Sequence, residues 1–169
     1  MFFWFVFPTV AGTFLVFRDP KLDYRVLAIG ALLPDAIDTV LRHGVGPAHS
    51  VVVVVGFLFA VMIATIGRRA ARKRLLALPI GALAHLVLDA SWSNTPVFWW
   101  PFGSRRVSGS LPSFSRWPWI AVAQEVAGVI VGIWCLHRFG LRQPERRSAF
   151  MRNGHLDLSL GAPAAAKSC

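Results

Sequence analysis

Residues 50–67 read SVVVVVGFLFAVMIATIG, a run without a single charge. Residues 1–17, MFFWFVFPTVAGTFLVF, are equally uncharged. Residues 75–88 carry one titratable group, His85, and residues 117–136 carry one charged group, Glu125. Runs of this purity can cross a hydrocarbon core of roughly 30 Å, although several are at the short end. The 169-residue chain is 55% hydrophobic, with mean hydropathy +0.55. A soluble domain with that composition would expose apolar patches and aggregate. The pattern therefore predicts an all-α, multi-pass integral membrane bundle of four to five short transmembrane helices. Their expected positions are 3–17, 26–41, 49–67, 75–91 and 118–136. The first lacks a basic leader and a small-residue cleavage site, so it reads as a retained helix and not a signal peptide.

The net charge of +10 raises the question of nucleic acid. The cations flank the apolar runs, however, and that placement fits topology signals and anionic lipid heads better than a duplex footprint. No nucleic-acid partner is expected. With alternating spans and an outside N-terminus, fourteen of the 18 Lys and Arg fall inside. They include Arg18, Lys21 and Arg25, the block Arg68–Arg74, and the Arg-rich C-terminal stretch. Arg42, Arg105, Arg106 and Arg116 fall outside. This bias predicts an N-out, C-in protein of the bacterial-type inner membrane. Residues 1–139 form the expected helical domain, and 140–169 a basic, disordered cytoplasmic tail. Trp92, Trp99, Trp100, Trp117 and Trp119 suit an interfacial belt on the outside. Cys135 and Cys169 make no CxxC pair or disulfide framework.

Ionisable groups near membrane helices are costly and point to function. In the N-out arrangement Asp35, Asp38, His49, His85 and Asp89 all fall toward the outer face. They come from three separate segments, and only Lys and Arg were used to orient the chain. His85 and Asp89 are four residues apart, one helical turn, the spacing by which one helix offers two ligands to a metal. Asp35 and Asp38 can also share a face. Two imidazoles and three carboxylates suit Zn, Mn or a two-metal centre. The structural alternative is that Asp35 only caps a helix and that His85 and Asp89 only pair with each other. Pro34 either kinks the second helix or starts a fresh one, leaving open whether that segment spans or re-enters. Ser50 reads as a helix-start residue, because neighbouring helical side chains diverge too far for a Ser–His nucleophile pair. Glu125 could join the site or pair with Arg116. His43 lies in a Gly-flanked turn; His137 and His155 lie on the cytoplasmic side.

The segments GALLPDAID at 30–38, AHS at 48–50, HLVLDASW at 85–92 and FWWPF at 98–102 together resemble the YdjM-like family of membrane-bound metal-dependent hydrolases. The resemblance covers roughly residues 1–137. It implies that Asp35, Asp38, His49, His85 and Asp89 are the metal-site positions. Many members also carry an early His four residues before a Gly; here the Gly is Gly12, and Pro8 occupies the His position. The expected activity is hydrolysis of a lipid-linked or membrane-accessible ester or phosphoester. His49, His85, Asp89 and Asp35 would hold a divalent metal, which lowers the pKa of a bound water. Asp38, or Glu125, would act as general base, or Asp38 would orient a histidine. Transport of a cation, or a scaffold role for the basic tail, are the other readings.

Overall fold

The computed structural model describes residues 1–41, 46–103 and 117–156, and every regular element among them is helical. In chain order these are α1 (Phe3–Phe17), α2 (Tyr24–Val40), α3 (Val51–Ala64), α4 (Arg69–Leu75), α5 (Ala77–Leu88), α6 (Thr95–Phe98), α7 (Pro118–Arg138) and α8 (Pro144–Asn153). Tight 3-10 turns at Pro47–His49 and Ser91–Ser93 precede α3 and α6. Arg42, His43, Arg105, Arg106, Arg116, Lys167 and Cys169 lie outside the described residues.

Two close-packed pairs build the bundle. In α2 and α5 glycines remove the side chains that would hold the helices apart. A Cβ at Gly30 would collide with the Leu78 carbonyl, and one at Gly81 with the Leu27 carbonyl. Small residues at such crossings let backbones approach closely. The helices run in the same direction, with Leu27 against Gly81 and Ala31 against His85. In α1 and α7, Gly128 meets the backbone of Phe3 and Trp4, and Gly132 meets Phe7. Farther along the same pair Phe14 packs edge-on against Phe139, so these helices are parallel as well. Tyr24, Leu27, Ala77, Cys135 and Phe139 form the main core, and Val54, Ala82 and Leu86 a smaller one under α3.

Much apolar surface faces outward. Phe59, Ile63 and Ile66 on and after α3 are exposed, as are Val122, Val126 and Ile130 on α7. By length and composition α7 is the one helix among the described residues able to cross a membrane; α1 and α3 are apolar but shorter. The expected set of four to five clear spans is thus not matched helix for helix. The fourth run, expected over 75–91, is shortened at both ends: Leu75 closes α4, and α5 ends at Leu88 with Asp89 as its cap.

The second segment is one helix, α2, which continues through Pro34. The C-terminal stretch also departs from expectation. Residues 144–153 form α8 instead of starting a disordered tail. Tyr24 N–H donates to Gly154 O (2.9 Å), Leu156 N–H to Pro20 O (3.0 Å), and Arg25 Nη1 to Met151 O (2.6 Å). Leu156 is buried in the main core. The polar composition of the stretch hid these few anchors. Residues 157–169 lie outside the described region.

Candidate metal centre

Four segments meet where α2 and α5 end. Asp35 and Asp38 come from the last turns of α2, and His49 closes the 3-10 turn ahead of α3. His85 lies in the last turn of α5 and Asp89 caps it. The fourth segment is α1, whose Phe5 ring lies over the His85 imidazole at a centroid distance of 4.0 Å. Trp4 Nε1 donates to Leu88 O, which fixes α1 to the end of α5.

Each imidazole is held by its Nδ1. His49 Nδ1 lies 2.6 Å from Asp38 Oδ2. Asp38 is itself buried and accepts from Gly46 N–H (2.7 Å) and Ala48 N–H (3.2 Å). An acceptor so surrounded makes Nδ1 of His49 the protonated nitrogen. A Cβ at Gly46 would press on the Asp38 carboxylate, so the loop needs glycine there. His85 Nδ1 lies 2.7 Å from Ala31 O, which can only accept.

In the neutral imidazoles both Nε2 atoms then carry lone pairs, and the two atoms lie 3.3 Å apart. Asp35 Oδ1 sits 3.3 Å from His49 Nε2 and 3.6 Å from His85 Nε2. Two lone pairs and a carboxylate oxygen facing one another repel unless a cation or proton sits between them. A tetrahedral ion with N and O ligands at about 2.0–2.2 Å has ligand-to-ligand edges of about 3.3–3.6 Å. The three observed edges match that range, so the donor set can hold a metal ion. The histidines are fully buried, whereas the Asp35 side chain is 45% exposed and forms the open edge.

The other predicted residues occupy different roles. Asp89 Oδ2 is 3.9 Å from His49 Nε2 and accepts from Ser91 Oγ at 3.1 Å, which puts it beside the triad and not within it. Asp38 has its oxygens engaged and orients His49. Glu125 is spent on α1, accepting from Phe3 N–H at 2.9 Å and facing the Met1 ammonium at 3.6 Å. Pro8 lies within α1 and supplies no donor; Phe5 is the residue of that helix which reaches the cluster. Ser50 caps α3 through Val52 N–H and lies 2.6 Å from Trp100 O and 3.1 Å from Phe98 O. It thereby straps the FWWPF segment to the start of α3, next to His49 in sequence. Ala31 and Phe5 were not legible as site residues, because one acts through its carbonyl and the other through an apolar face.

The Lys and Arg of α4, of the α1–α2 connection and of α8 lie at the far end of both helix pairs. Lys73 pairs with Asp19 (2.9 Å) and Arg74 with Asp23 (3.2 Å). Asp23 caps α2 and also binds Arg25 at 3.3 Å.

The family model described as YdjM inner membrane protein matches residues 5–151, which takes in every member of the cluster and most of α8. No curated protein and no solved structure shows a significant match to the chain.

Proposed function

The chain belongs to the YdjM inner membrane protein family, and from that premise we propose that it is a metal-dependent hydrolase acting on a lipid-linked or membrane-accessible ester or phosphoester. The observation that carries the proposal is the facing pair of His49 and His85 Nε2 atoms with Asp35 across their opening. Nitrogen-rich donors at tetrahedral spacing favour Zn, with Mn the second choice. The bound cation supplies positive charge for a substrate oxygen and for the attacking water.

The chain's own residues supply the rest. Asp38 keeps the His49 ring turned toward Asp35, and the Ala31 carbonyl does the same for His85. Phe5 excludes water from the buried side of His85. Asp89, beside the triad and hydrogen-bonded to Ser91 Oγ, is the carboxylate that takes the proton from water. Substrate enters at the exposed edge of Asp35.

In this reading α1, α2, α3, α5 and α7 cross the membrane, N-out and C-in. Support comes from the parallel pairs α1–α7 and α2–α5, as alternating spans require, and from the separation of the cluster from the basic end. The short helices are covered by apolar surface on their outer faces, so a locally thinned bilayer suffices.

The test is turnover in detergent micelles against a panel of lipid phosphoesters and carboxylic esters. Cleavage that chelator removes, Zn or Mn restores and His85→Ala abolishes supports the proposal. A metal-loaded protein inert across the panel would overturn the hydrolase reading and leave the metal centre standing.

A further inference from the structure

At the end opposite the cluster, two cavities share a wall. One, of about 580 Å³, lies among the α1–α2 connection, α4 and the end of α8. Its lining includes six cationic side chains and a single carboxylate, Asp23. Asp23 is already engaged by Arg25 and Arg74, and Lys73 by Asp19. Lys21, Arg69 and Arg152 make no ion pair among the described residues. The second cavity, of about 480 Å³, lies between α1, α2, α7 and α8 and is almost wholly apolar, lined by residues such as Val10, Ile29 and Leu136. Arg25 lines both.

We propose that this composite pocket binds one anionic phospholipid, its phosphate headgroup among Lys21, Arg69 and Arg152 and an acyl chain in the apolar cleft beyond Arg25. Charge complementarity selects the occupant. Three clustered cations with no ion pair among the described residues call for a headgroup of net negative charge, and a zwitterionic headgroup brings its own cation into the cluster. The apolar cleft selects an amphiphile over a free anion, because a soluble phosphate fills only the first cavity. The basic residues here are thus more than topology signals: α8 folds back to complete the pocket, with Arg152 on one side and Phe150 and Met151 on the other. The inference does not depend on the metal centre.

The test uses the full chain, delipidated in detergent and titrated with phosphatidylglycerol, with phosphatidylcholine of the same chains, and with glycerol 3-phosphate. Binding is followed by native mass spectrometry. Phosphatidylglycerol should bind at least about tenfold more tightly than either competitor. Arg69→Gln/Arg152→Gln should remove that preference. Arg138→Gln/Arg142→Gln, an equal loss of charge outside both cavities, should keep it. Equal binding of the two lipids, equal losses in the two double variants, or glycerol 3-phosphate binding as tightly as the lipid would each overturn the proposal.

Discussion

His49 and His85 come from different elements, yet their Nε2 atoms stand 3.3 Å apart with each Nδ1 already bound to an acceptor. That relationship separates a donor pair from an ordinary buried histidine pair. In a structural pair one imidazole would donate to the other; here, with both rings neutral, each donor hydrogen is spent elsewhere.

The Asp38–His49 contact gives the first prediction. Asp38→Asn should weaken metal binding by about 10–100-fold, the usual effect of losing a carboxylate that orients a ligating histidine. Competition with a chromophoric chelator measures it. Asp38→Ala should cost more, because Gly46 and Ala48 N–H groups lose their acceptor. An affinity unchanged in both variants would show that Asp38 does not set the ring.

Helix approach gives the second. Gly81→Val places a branched side chain against the Leu27 carbonyl. The strain should cost about 1–3 kcal/mol or more and lower the thermal midpoint in detergent. It should also reduce metal affinity, since Ala31 and His85 are positioned by the same contact. Gly12→Val, where a Cβ meets nothing within 4 Å, is the control and should be near neutral.

Ser50 provides the third. Removing its hydroxyl in Ser50→Ala frees the Trp100 carbonyl and the α3 cap, at about 1–2 kcal/mol. Tryptophan emission should shift as the 98–102 segment loosens, while the metal affinity changes far less than in Asp38→Asn. Loss of metal with unchanged emission would contradict the strap.

The basic end supplies a pH prediction. The hydrogen bond from Lys73 holds the Asp19 carboxyl below its ordinary value of 3.8. Burial opposes ionisation of Asp23, but Arg25 and the Val26 N–H outweigh it, and its pKa is lowered as well. A lowered folded-state pKa stabilises the fold above the unfolded value, and that contribution disappears as pH falls through the folded value. The attachment of α4 should therefore be unaffected near neutrality and loosen below about pH 4. Limited proteolysis across that range reports it, and Asp23→Asn should flatten the profile. A profile unchanged by Asp23→Asn would remove this residue from the linkage.

The site was more legible than the fold around it. Asp35, His49, His85 and Asp89 stand out because charge is costly beside apolar runs, and the charge bias alone carried them to one end. What one sequence could not give was who touches whom. Asp38 and Asp35 look equivalent three residues apart, yet one is buried behind His49 and the other lies open at the edge. Glu125 was drawn toward the site by its place in an apolar run; its partner is the start of α1, a packing fact fixed by Gly128 and Gly132. The helix α8 escaped notice because its surface is polar and its hold depends on backbone hydrogen bonds and on Leu156.

The decisive measurement is metal content and metal affinity of the purified chain, set beside His49→Ala/His85→Ala and a His137→Ala control. Near-stoichiometric Zn or Mn in the wild type and the control, lost in the double variant with the helical signal intact, is the predicted result. Equal metal content in all three proteins, or none in the wild type even after metal is added back, would contradict a metal centre at Asp35, His49 and His85.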